Sequence, residues 1–264
     1  MTAAARETSI RRGVETLLTL AGEEGRADGG LGVTRIAELL GREKSQISRT
    51  LKVLAEYGLV ERNRDSLTYR LGWRIFTLAE LAGEPRILQE AEPALQALVA
   101  SLEERVHLSV LQGAEVLTLM SKSPSRTLQA AGWVGRVTPA YCTSAGRALL
   151  LDHSRDDLER LFGGMAMQPF TARTVRDVAE LADRIEAARA TGWAIADEES
   201  EDGLIAAAAP VHDARGIVAA LNVSAPKFRF QDRIGRAAAE IKRAADELSD
   251  VLGGPAQAAA VGRG

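Results

Sequence analysis

Residues 34–60 read TRIAELLGREKSQISRTLKVLAEYGLV. Thr34 is placed to cap a short helix that ends at Gly41, where a residue free to turn left-handed stops the helix. A second helix runs from about Lys44 to Tyr57 and stops at Gly58. At about 100° per residue, Ile47, Leu51 and Leu54 lie within roughly 60° of one another and form a stripe to bury. Ser45, Arg49 and Lys52 cluster on the opposite side. That face is short, polar and cationic, with donors able to reach base edges or phosphates. The competing reading is an ordinary solvated face. The Ala-containing helix before it, the tight Gly-bearing turn, and the hairpin after it decide for a DNA reader.

Working outward, Leu59 to Leu71 reads as two short strands around a polar, turn-rich centre that carries Arg62 and Arg64. Upstream, Ser9 is placed to cap a helix through Ile10, Val14, Leu17, Leu18 and Ala21, and 25–32 is glycine-rich loop. Helix, helix, tight turn, helix, hairpin is the order of a winged helix-turn-helix over 1–72. The candidate DNA-binding residues are Thr34, Arg35, Lys44, Ser45, Gln46, Ser48, Arg49, Lys52, Arg62 and Arg64.

Charge agrees with this division. The whole chain of 264 residues carries −3, but residues 1–72 hold 12 Lys and Arg against 10 Asp and Glu, a net of +2. The remainder holds 21 against 26, a net of −5. A local basic surface on an acidic protein fits a DNA reader whose other domain does something else. The start, Met1 to Arg6, lacks a basic region followed by an apolar stretch, and the least polar run, Gly203 to Val211, is too short to span a bilayer. Cys142 is the sole cysteine, which rules out an internal disulfide. The expectation is a cytoplasmic protein.

Trp73 to Ala82 continues as a linker helix within 73–84. Beyond it, 85–253 alternates: a helix over Glu92–Glu104, paired strands at Val106–Leu111 and Val116–Met120, and irregular chain over Ser121–Tyr141. A helix begins near Ser144, and two more follow, the second capped by Thr174. Strands at Trp193–Asp197, Leu204–His212 and Ile217–Val223 precede a long closing helix. The class is α+β, an antiparallel sheet with helices against it. Residues 254–264 read as a flexible tail.

Taken together the chain resembles the IclR family (isocitrate lyase regulator) of transcription factors. The N-terminal likeness runs through Ile36-Ala37, Ser45, Arg49-Thr50-Leu51, Leu54, Gly58-Leu59-Val60 and Tyr69-Arg70-Leu71-Gly72. The C-terminal likeness runs through Gly135, Pro139, Ala145-Gly146-Arg147-Ala148-Leu149-Leu150, Thr171, Thr174, Gly192-Trp193-Ala194, Glu199, Gly203, Ala208-Ala209-Pro210-Val211, Gly216 and Ala219-Ala220-Leu221. The resemblance implies a GAF-like effector domain, dimers or tetramers on a double-stranded DNA operator, and control by a small organic acid. It places the effector pocket at Ala130, Trp133, Thr138, Tyr141, Ser144, Ala145, Gly146, Ala196, Ala206, Asn222 and Ser224. Free N–H groups at a helix start would favour a carboxylate there. Members that bind very small oxo-acids tend to carry Asp at Ala196 and Cys at Ala206, and Lys is usual at Arg147. Those departures imply a larger or more apolar acid.

Other chemistries are set aside. His107, His153 and His212 lack partners at metal-ligand spacing, and no cofactor is implied. Ser144 lacks the Gly-x-Ser-x-Gly elbow of a hydrolase. Cys142 reads as a buried structural thiol, and Asp197-Glu198-Glu199 as carboxylates facing water or capping a turn. The alternatives are an enzyme, or a purely oligomerising domain, fused to a DNA-binding module.

Overall fold

The computed structural model describes residues 8–22, 24–25, 29–81, 85–124 and 133–253, without the side chains of 79–85. The chain divides into two compact units, Met1–Pro85 and Arg86–Gly264.

In the first unit, α1 (Ser9–Ala21), α2 (Val33–Leu40) and α3 (Lys44–Glu56) precede a hairpin of β1 (Val60–Arg62) and β2 (Tyr69–Leu71). Leu20, Ile36, Ala37, Ile47, Leu51, Leu54 and Val60 close one core. Two caps differ from expectation. Thr8, one residue before Ser9, accepts the Arg11 N–H and caps α1. Gly32, rather than Thr34, precedes α2, with no side-chain cap. The chain reaches α2 from a β-bridge between Leu31 and Tyr69, so extended backbone persists to Gly32 and Thr34 falls inside the helix. Gly41 ends α2 at φ 60°, the left-handed turn that glycine adopts without strain. The expected loop over 25–32 lies partly outside the described residues. Helix α4 (Trp73–Leu81) belongs to this unit, its Arg74 N–H donating to the Gly58 carbonyl.

The second unit is a six-stranded antiparallel sheet, ordered β5-β4-β3-β8-β7-β6. Its strands are β3 (Arg105–Gln112), β4 (Glu115–Lys122), β5 (Val137–Pro139), β6 (Ala194–Asp197), β7 (Leu204–Asp213) and β8 (Gly216–Pro226). Strand alternation divides the two faces. Val106, Leu108, Ile205, Ala207, Leu221 and Val223 pack beneath α5 (Pro85–Leu102) and the closing helix, which follows the short α9 (Lys227–Phe230) as α10 (Ile234–Leu252). Helix α5 starts seven residues before the expected Glu92 and carries Pro93 inside it. Pro93 is exposed, so its missing N–H falls on the solvent side.

The opposite face is split. At one end Val116, Ala194, Ala208 and Ala220 pack against α6 (Ser144–Leu149), α7 (Arg155–Phe162) and α8 (Val178–Thr191). Asp177 caps α8, accepting from the Glu180 N–H. Thr174, expected in that role, is buried and donates to the Glu199 carbonyl. The other end of this face lies open over a cavity.

Candidate DNA-reading face and effector cavity

On α3, Ile47, Leu51 and Leu54 are buried while Lys44, Ser45, Ser48, Arg49 and Lys52 are exposed and Gln46 half-buried. The Arg49 Nε–H donates to the Ser45 carbonyl at 3.2 Å, which lays the guanidinium along the helix. The hairpin tip is shaped by Asn63, whose side-chain oxygen accepts the Asp65 and Ser66 N–H groups. Arg62 and Arg64 flank that tip, both exposed, with Arg62 over the Tyr69 ring at 5.6 Å. Thr34 and Arg35 are exposed too. Arg35, however, is already paired with Glu24 at 2.6 Å and Glu38 at 3.3 Å.

In the second unit the cavity has a volume of about 200 Å³. Its floor is the sheet face that carries His107 and Ser109 on β3, Asn222 and Ser224 on β8, Ala206 on β7 and Ala196 on β6. Register puts Asn222 opposite both His107 and Ala208, and Ser224 opposite Arg105 and Ala206. Two polar pairs cross the β3–β8 boundary: His107 Nε2 with the Ser224 hydroxyl at 3.3 Å, and the Ser109 hydroxyl donating to Asn222 Oδ1 at 3.4 Å. Trp133, Arg136, Thr138, Cys142, Thr143, Ser144, Ala145 and Phe170 form much of the remaining wall.

Of the eleven expected effector positions, Trp133, Thr138, Ser144, Ala145, Ala196, Ala206, Asn222 and Ser224 converge on this cavity. Ala130 lies outside the described residues. Tyr141 does not line it: its hydroxyl donates to the Gln168 carbonyl and its ring packs with Phe162 and Phe170. Gly146 is also absent from the wall. A Cβ there would sit 2.0 Å from the Ala140 carbonyl oxygen, so this glycine is demanded by packing of α6 on the preceding turn. The Gly146 N–H is moreover occupied by the Thr143 side chain at 3.1 Å. The expected carboxylate cradle of three free N–H groups is therefore not formed.

The sequence reading missed His107, Ser109, Thr118 and Arg136 as wall residues. A signal was present for the first two. Val106, Leu108 and Val110 alternate with His107 and Ser109, which places two polar side chains on one otherwise buried strand face. Burial, with Arg105 and Arg136 nearby, holds His107 neutral and lowers its pKa to about 3. Cys142 is buried, and desolvation raises its thiol to about 12, leaving it protonated and a poor nucleophile. The acidic triplet is corrected at its last member. Asp197 and Glu198 pair with Lys227, but Glu199 is buried against Arg147.

The family model for the IclR helix-turn-helix domain matches residues 9–64, and that for the bacterial transcriptional regulator IclR C-terminal domain matches 80–250. The transcriptional regulator KdgR of Escherichia coli K12 is 27% identical over 226 residues, 84% of this chain and 86% of that protein. The Pca regulon regulatory protein of Pseudomonas putida is 34% identical over 185 residues, 69% of this chain and 62% of that protein. Among solved structures, an IclR homolog complexed with 4-hydroxybenzoate from Microbacterium hydrocarbonoxydans shares the fold at a TM-score of 0.76 and 23% identity, covering 93% of this chain and 99% of that one.

Proposed function

This chain belongs to the IclR family of bacterial transcriptional regulators, and we propose that a small organic acid in the cavity of its second unit sets its affinity for operator DNA. The observation that carries this reading is the cavity itself, a partly open space with polar side chains on its floor. At about 200 Å³ it falls below the roughly 300–1,000 Å³ of drug-sized sites, which favours one small ring or chain. Ala196 and Ala206 leave apolar room where bulkier or more polar side chains would fill it. An aromatic acid gains from that surface about 25 cal/mol per Å² buried, whereas a two-carbon oxo-acid finds fewer partners. The relative crystallised with 4-hydroxybenzoate supports an aromatic acid as a ligand of this fold.

The exposed face of α3 and the hairpin arginines are assigned to DNA: Arg49 to a base edge, Lys52 to a phosphate. Regulators with one reading helix per chain gain operator affinity by pairing, so dimers or tetramers on paired half-sites complete the reading. Among the described residues no helix is long and apolar enough to cross a membrane, and the site of action is assigned to the cytoplasm, with the DNA. Control requires that the acid prefer one DNA-binding state, since equal affinity shifts nothing.

The test is fluorescence anisotropy with a duplex selected in vitro for binding to the full-length chain, titrated with aromatic and aliphatic acids. At least one acid is expected to change operator affinity and to raise the melting temperature of the second unit. An operator affinity unmoved by every acid that binds the protein overturns the reading.

A further inference from the structure

The cavity has two electrically different ends. At the β5–β4 end, Arg136 lies 4.5 Å from the Trp133 ring centroid and Arg105 lies 5.4 Å from the same ring. At the opposite end, in the turn between β6 and β7, the acidic residue Glu201 is part of the wall. An anionic group is drawn to the first end and repelled from the second. The Arg136 guanidinium over the indole carries N–H groups that can fork onto a carboxylate.

Between the ends lies the polar floor. Asn222 is more than nine-tenths buried and lines the cavity. Its Oδ1 accepts from Ser109, and its amide N–H groups have no partner among the described residues. The amide group stays accessible from the cavity, so the acceptor of a ligand can pair with it there. The Arg136 carbonyl accepts from the Thr118 N–H on β4, and β3 separates β4 from β8. Arg136 pairs with β4 from the β5 side, so it and Asn222 are set about three strand spacings, roughly 14 Å, apart at the backbone. A benzene ring carrying a carboxylate at one side and an oxygen at the other bridges that interval once the Arg136 side chain reaches inward.

We infer that the effector is a hydroxylated aromatic monocarboxylate, with Arg136 as the counter-ion of its carboxylate and Asn222 as the partner of its ring hydroxyl. The inference rests on the cavity being the effector site. It moves the carboxylate away from the start of α6, where Thr143 already occupies the Gly146 N–H. It also excludes dicarboxylates, whose second charge would enter the Glu201 end.

Isothermal titration calorimetry on the full-length protein, with 4-hydroxybenzoate, benzoate and terephthalate as probes, tests it. The hydroxy acid is expected to bind about tenfold more tightly than benzoate, the gain of one hydrogen bond to an otherwise unmatched group, and terephthalate more weakly than either. Arg136→Gln should weaken both monocarboxylates by about tenfold and preserve their ratio. Asn222→Ala should bring that ratio near one with benzoate little changed, and Asn222→Ser should restore part of it; circular dichroism melts establish that each variant folds. An unchanged ratio in Asn222→Ala, unchanged affinities in Arg136→Gln, or a wild-type protein that binds none of the three acids overturns the inference. If an aliphatic acid instead binds and shifts operator affinity, the regulatory reading survives and this inference fails. If the three acids follow the expected pattern but none shifts operator affinity, the site stands and the regulatory reading fails.

Discussion

Arg147 and Glu199, 52 residues apart in sequence, form an ion pair in which both side chains are 2% exposed. One guanidinium N–H reaches Glu199 Oε1 at 2.8 Å and also the Ile195 carbonyl at 2.9 Å, and a second reaches the other Glu199 oxygen. The pair ties α6 to the turn that carries the Ser200 and Glu201 walls of the cavity. Removing Glu199 strands the buried Arg147 charge, and removing Arg147 leaves Glu199 with only the half-exposed Arg184 at 3.8 Å. Arg147→Met and Glu199→Leu alone should each destabilise the second unit by about 3–5 kcal/mol, and the double variant by much less than their sum. Denaturant unfolding of the four proteins measures the coupling; additive losses would show that the two charges do not depend on each other.

On the proposed DNA-reading face, Arg49→Ala should cost roughly 1–3 kcal/mol of operator affinity and relax preference at one base pair. Lys52→Ala should lower the salt slope by about one unit with little change in sequence preference. Both side chains are exposed opposite buried Ile47, Leu51 and Leu54, so neither change should disturb folding. Wild-type anisotropy curves for both variants across a salt series would remove these residues from the interface.

Ile10, Val14 and Leu18 recur every fourth residue along α1 and remain 77%, 50% and 65% exposed. Trp73 and Phe76 on α4 are exposed as well. We propose these faces for self-association. Light scattering should give a multiple of 28.2 kDa at micromolar concentration, and Ile10→Asp with Leu18→Asp should reduce both the mass and operator affinity. A wild-type mass of one chain, with full operator binding, would refute the assignment.

Ala206 lies on the cavity floor beside Ser224. Ala206→Trp should fill the space and abolish acid binding in calorimetry while leaving operator binding by the free protein intact. Unchanged acid affinity would place the ligand elsewhere.

His107 is held neutral by burial, its pKa lowered from 6.5 to about 3. A depressed histidine pKa means that the unfolded chain binds the extra proton first. Stability is thus lost as pH falls from about 6.5 toward 3, by up to about 1.4 kcal/mol per pH unit from this group. His107→Leu should flatten the acid limb of the stability curve relative to wild type in that window. Parallel acid limbs would contradict it.

Much of the architecture was legible locally. Spacing near 3.6 along Lys44–Glu56 separates Ile47, Leu51 and Leu54 from Arg49 and Lys52 whatever the helix packs against. Alternation along 105–110 likewise puts His107 and Ser109 opposite Val106 and Leu108. Helix starts were less legible. Thr8 and Ser9 are neighbours of the same capping chemistry, whereas the start of α2 at Gly32 rather than Thr34 follows from the Leu31–Tyr69 bridge and not from a side-chain cap.

The periodicity of apolar side chains determined the main helices, the strands other than β5 and the two faces of α3, because those depend on backbone geometry; β5 lay in a stretch read as irregular. Only the tertiary structure decided which polar groups are buried and what they meet. Glu199 reads as a solvated turn carboxylate until Arg147 arrives from 52 residues away and replaces its water. Tyr141 reads as a pocket residue until Phe162 and Phe170 pack on its ring, and Arg136 is passed over until Trp133 lies beneath it. A charge or ring in isolation has the same local pattern in either setting; the free energy that places it belongs to a partner distant along the chain.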